Sequence, residues 1–185
     1  MSPFRRRVLA GVLAAFALVV LTGCTPAVPM APAQDAANPE CAEVIVRLPD
    51  LIEDAAQQGA NGDPAGVWLK RETNAQGTGA WGDPAAVLLR CGVPVPGPST
   101  LLCVTLDGVD WLRDDSQAPN YIFTTYGRDP AVEVVVDGNR ASGTNALVAL
   151  RLAVSAIPAT RACTNPDDVL GLPTPAPAPT PSPSP

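Results

Sequence analysis

Tyr121-Ile122-Phe123-Thr124-Thr125-Tyr126-Gly127-Arg128-Asp129-Pro130-Ala131-Val132-Glu133-Val134-Val135-Val136 is the stretch that decides the fold. Two runs of aromatic and β-branched residues flank a Gly-Arg-Asp-Pro turn, which reads as a β-hairpin. Val132, Val134 and Val136 share one face, and Glu133 departs to the other, so the second strand has one buried side. Asp137-Gly138 ends it.

Upstream, Ala86 to Cys91 is a mostly apolar run, broken after Gly92 by Pro94, Pro96 and Pro98. Leu101 to Leu106 forms another run and ends at the turn dipeptide Asp107-Gly108. Val109 to Leu112 extends the pattern as a further short strand. Leu51-Ile52 is a candidate short strand, and Val67-Trp68-Leu69 is a strand or a helical turn. Asn61 to Pro64 and Asn74 to Gly79 read as turn and loop.

Helices bracket these strands. Asn38 can cap a helix, Pro39 suits its first position and Glu40 its positive end. Cys41, Val44, Ile45 and Leu48 then recur at helical spacing, and Pro49 stops the run. Near the other end, Thr144 or Asn145 can cap a helix whose apolar face is Leu147, Val148, Leu150, Val154 and Ile157. Pro158 ends it. This order predicts a single α+β domain over 39–171, with a mostly antiparallel sheet of four to five strands. An N-terminal and a C-terminal helix are expected to pack on one face.

Both flanks differ from this domain. Arg5, Arg6 and Arg7 precede an apolar run from Val8 to Leu21, ending in Leu21-Thr22-Gly23-Cys24. The run is short for a membrane span and resembles a lipoprotein signal peptide over 1–23, with Cys24 receiving the lipid. Residues 24–38 read as a tether and 172–185 as a Pro-rich tail of polyproline II character. Thr174, Thr180, Ser182 and Ser184 are candidate O-glycosylation positions. The expected location is the outer face of the cell membrane, with the membrane contacted through the N-terminal lipid.

Composition removes several classes of function. The 185 residues contain no His, which excludes His-based zinc sites, Ser-His-Asp triads and Cys-His dyads. A net charge of −6, becoming −9 without the three arginines, argues against nucleic acid as a partner. Of five Cys, Cys24 is set aside for lipid. Cys41, Cys91, Cys103 and Cys163 remain and allow three pairings outside the cytoplasm. We expect Cys91–Cys103 within one hairpin and Cys41–Cys163 joining the domain ends. No Cys-x-x-Cys spacing suggests a metal, so neither metal nor cofactor is expected.

Four motifs occur in order: Trp81-Gly82-Asp83-Pro84, Arg90-Cys91-Gly92-Val93-Pro94, Gly108-Val109-Asp110-Trp111-Leu112, and Thr124 to Val134. Together they resemble an actinobacterial family of secreted proteins and lipoproteins, domain of unknown function 3515, over about 41–163. The resemblance implies an envelope location and paired cysteines, and implies no activity.

Candidate chemistry is sparse. The repeated Gly-Asp-Pro and Gly-Arg-Asp-Pro segments are turn elements. Trp81 and Tyr126 stand beside two of them and are candidates for an aromatic ledge, although core packing of both outweighs it in a domain with few large residues. Arg90 and Glu133 can pair across the sheet, and Arg90 with Arg128 can bind a carboxylate bidentately. Asp107, Asp110, Asp114 and Asp115 lack the spacing of a calcium loop. No catalytic residue is assigned, and the sequence leans toward a non-catalytic binding or accessory module contacting an envelope protein or wall component. The alternatives are an envelope hydrolase using two carboxylates, Glu133 and Asp110, or a small-ligand carrier.

Overall fold

The computed structural model describes residues 26–53 and 66–164. Cys24, the signal peptide, the Asn61–Pro64 turn and the Pro-rich tail lie outside the described residues. The elements in chain order are α1 (Pro39–Ile45), β1 (Leu51–Glu53), β2 (Val67–Arg71), β3 (Thr78–Trp81) and β4 (Val87–Val93). They continue with β5 (Leu102–Leu106), β6 (Val109–Asp114), β7 (Asn120–Thr125), β8 (Ala131–Asp137) and α2 (Gly143–Val154).

The strands form one antiparallel sheet in the order β1-β2-β3-β4-β8-β7-β6-β5. Eight strands replace the expected four to five, so the domain is mostly β with two helices among the described residues. The candidate segments Leu51-Ile52 and Val67-Leu69 both lie in strands, β1 and β2, and β3 is a strand where none was expected. Thr78-Gly79-Ala80-Trp81 has Gly and Ala, which disfavour strands, at its centre, but all four residues are buried, and burial on both faces overrides propensity. The hairpin read from Tyr121 to Val136 is present as β7 and β8, with Phe123 opposite Val134.

Helix α2 touches both edge strands, β1 and β5, and also the central β8. The sheet therefore curves around the helix. Val87, Leu89 and Cys91 of β4 and Val132, Val134 and Val136 of β8 face this concave side. There they join Val44, Leu147, Leu150, Trp68, Trp81 and Trp111 in the core. Fully burying a large apolar side chain contributes about 1.5–3 kcal/mol, so three fully buried tryptophans compensate for a composition poor in aromatics.

The helix starts follow cap chemistry. Asn38 accepts from the Glu40 amide at 3.0 Å, with Pro39 in the first turn, as the sequence indicates. At α2 the cap is Ser142, not Thr144 or Asn145. Its hydroxyl accepts from Asn145 N, and the cap lies two residues before the expected Thr144.

Both disulfide expectations are corrected. Cys41 bonds Cys91, and Cys103 bonds Cys163. The Cys91–Cys103 expectation took neighbours in sequence for neighbours in space. In fact β8, β7 and β6 lie between β4 and β5. Residues 94–101 cross that gap of four strand spacings, about 19 Å, which eight extended residues can span. Pro94, Pro96 and Pro98 favour the extended form. Cys41 is drawn to Cys91 because α1 packs against β4. Closing loops of 50 and 60 residues stabilises by about 4 kcal/mol each in the chain-entropy picture.

The stretch expected as a tether is also seated on the sheet from Pro26 onward. Val28 pairs with Thr73, its amide donating to Glu72 O at 2.8 Å. The Asp35 amide donates to Gly92 O at 3.0 Å, and Ala36 is buried. Gly92, at φ +93°, permits this approach: a Cβ there would lie 2.3 Å from the Asp35 carbonyl carbon.

Candidate functional site

The expected aromatic ledge does not form. Trp81 is fully buried, and its indole N–H donates to Pro49 O at 2.9 Å. Tyr126 is half-buried elsewhere, with the Arg161 guanidinium 5.5 Å above its ring. The expected Arg90–Glu133 pair does form. The two residues are in register on β4 and β8, and Arg90 Nη2 donates to Glu133 Oε1 at 2.6 Å. They line a shallow cleft of about 230 Å³ beneath Pro29 and Met30.

Arg128 does not join Arg90 in a carboxylate site. It is 5 % exposed, and its Nη1 donates to Ile157 O. Burial pulls the guanidinium below its ordinary pKa, and Asp110 opposes the shift. Arg128 thus anchors the residues that follow α2. Next to it, Ala159 bridges Arg128, and the Thr160 amide donates to Gly127 O at 2.7 Å. The Cys163 amide donates to Asp110 Oδ2 at 2.8 Å. Residues 157–164 form a strap across the β6–β7 end of the outer face, finished by the bond to Cys103.

The other aspartates of the acidic cluster also have protein partners. Asp107 pairs with Arg151 at 2.8 Å, Asp115 with Arg113 at 2.6 Å, and Asp114 accepts the Ser116 amide at 2.8 Å. The Gly-Asp-Pro segment at 82–84 and the Gly-Arg-Asp-Pro segment at 127–130 are turns, and both Asp-Pro bonds in them are cis.

The feature that remains open is the β5 edge. Among the described residues the sheet has two edges, and they are built differently. At one, β1 is three residues long, follows Pro49-Asp50 and ends in Glu53. Short length and charge both discourage further pairing. At the other, Leu102-Cys103-Val104-Thr105-Leu106 has no charge and no proline, and its one partner strand among the described residues is β6. Leu102 is 61 % exposed and the preceding Leu101 43 %. Beside them is an open groove of about 420 Å³, walled by Leu112, Tyr126, Thr164 and the Cys103–Cys163 disulfide.

An edge strand with unpaired backbone groups, exposed leucines and an adjoining groove can receive an extended polypeptide. The backbone supplies hydrogen bonds and the groove takes a side chain. Sequence reasoning missed this site because strand order, which makes β5 an edge, is not written locally. The readable signal was the lack of any charge or proline in Leu102–Leu106.

The family model for proteins of unknown function designated DUF3515 matches residues 7–162. No curated protein and no solved structure matches the chain.

Proposed function

The chain belongs to the DUF3515 family, and on that premise we propose that it is a lipid-anchored, extracytoplasmic binding module. In this reading Cys24 carries the lipid, and the β5 edge docks an extended segment of an envelope polypeptide with apolar side chains at alternate positions. The observation that carries the reading is the asymmetry of the sheet edges. One is short and charged, whereas the other is an uncharged five-residue strand beside exposed leucines and a groove. Apolar docking also suits a body whose acidic charge disfavours polyanions.

A hydrolase built on Glu133 and Asp110 has less support. Glu133 is committed to Arg90, and both oxygens of Asp110 accept hydrogen bonds, from Thr105 and from the Cys163 amide. Strand β7 lies between their two strands.

The test places a photoreactive residue at Leu101 in the lipidated full-length protein in cells. A discrete envelope-protein adduct is expected, lost with Leu102→Lys and retained with Leu152→Lys on α2. Adducts indifferent to Leu102→Lys would refute docking at β5. Turnover of a wall glycan or peptide by the purified protein, abolished by Glu133→Gln, would replace the reading with catalysis.

A further inference from the structure

The two disulfides occupy opposite environments. Cys41 and Cys91 are 1 % and 0 % exposed and belong to the core. Cys103 and Cys163 are half-buried, and both line the open groove beside β5. Thiol–disulfide exchange requires a thiolate to approach a sulfur directly, so access decides which bond reacts.

We infer that Cys103–Cys163 is a thiol–disulfide exchange site, opened by an external dithiol of the class presented by Cys-x-x-Cys oxidoreductases. One thiolate of the dithiol attacks a groove sulfur, forming a mixed disulfide and expelling the other cysteine as thiolate. The second thiol of the dithiol then displaces the first cysteine. The reagent ends as a disulfide, and Cys103 and Cys163 end as thiols carrying its two electrons and two protons.

The strap shows what the bond controls. Residues 157–161 have non-covalent fasteners of their own, through Arg128, Gly127 and Tyr126. From 162 to 164, the hydrogen bond from the Cys163 amide to Asp110 is the remaining fastener among the described residues once the disulfide opens. Reduction therefore releases the groove wall formed by Cys163 and Thr164, while the Cys41–Cys91 clip and the core stay intact. The exchange chemistry stands independently of docking at β5. The consequence for a bound polypeptide rests on that reading.

The experiment exposes the folded full-length protein to limiting dithiothreitol, traps thiols with an alkylating agent and locates them by mass spectrometry. Cys103 and Cys163 should be labelled at least about 100-fold faster than Cys41 and Cys91, because the core pair waits for a rare global opening. Equal rates, earlier labelling of Cys41 and Cys91, or no labelling before tryptophan fluorescence reports unfolding would each overturn the inference. As a second readout, the selectively alkylated wild type and the Cys103→Ser/Cys163→Ser variant are both treated with trypsin. Cleavage after Arg161 should accelerate about tenfold over the oxidised protein. An unchanged rate in the alkylated wild type would show that the bond does not hold the groove wall.

Discussion

Gly127 lies directly against the backbone of Arg161: a Cβ on the glycine would stand 2.0 Å from the Arg161 carbonyl oxygen. The same glycine has φ +77° and accepts the Thr160 amide through its own carbonyl. The β7–β8 turn is thus shaped to receive the strap that follows α2.

Gly127→Ala should cost about 2 kcal/mol or more, because the left-handed backbone and the close approach both resist a side chain. Gly97→Ala is the control, since a Cβ there meets nothing within 4 Å. It should change stability by less than about 0.5 kcal/mol. Urea unfolding midpoints measured at unchanged slope decide between them.

Arg128→Met removes the donor to Ile157 O and loosens the strap. A lost hydrogen bond of about 1.4 kcal/mol corresponds to about a tenfold faster exchange. The Thr160 amide should exchange faster by about that factor in hydrogen-exchange measurements. The amides of β4 and β8 should keep their wild-type rates.

The Arg90–Glu133 pair is partly open to solvent, with side chains 37 % and 17 % exposed. Its contribution is therefore modest. A double-mutant cycle with Arg90→Met and Glu133→Gln should give a coupling of about 0.5–1 kcal/mol that shrinks as salt is added.

Asp114 gives a pH-dependent reporter. The Ser116 amide, then the Ser116 hydroxyl, hold its carboxyl below the ordinary value. With the folded value below the unfolded one, its stabilising contribution is complete above about pH 3.9 and disappears as pH falls through the folded value. A carboxyl-carbon NMR titration should find its midpoint below that of an unstructured aspartate. Ser116→Ala should move it part of the way back.

Much of the fold was legible because local chemistry specified it. Alternation in Val132–Val136 fixed the buried face of β8 and set Glu133 opposite Arg90. Asn38-Pro39-Glu40 marked the start of α1. What stayed hidden depended on partners distant in sequence. Thr78–Trp81 looks like a loop, and only coverage on both sides makes it a strand. Trp81 stands beside a turn, yet its ring enters the core. Arg128 looks exposed in a turn motif, and the strap buries it. The β5 edge and its groove emerged only with the strand order, which also separates Cys91 from Cys103.

The Cys41–Cys91 disulfide seats α1 on β4, and the Cys103–Cys163 disulfide builds the groove wall beside β5. Disulfide mapping of the unreduced protein tests this pairing most directly. Trypsin leaves Cys91 and Cys103 in one peptide, since no Lys or Arg lies between them, so a chymotryptic cut after Leu101 or Leu102 is also needed. The Cys91 fragment should carry the Cys41 peptide, and the Cys103 fragment the Cys163 peptide. A direct Cys91–Cys103 link would contradict it.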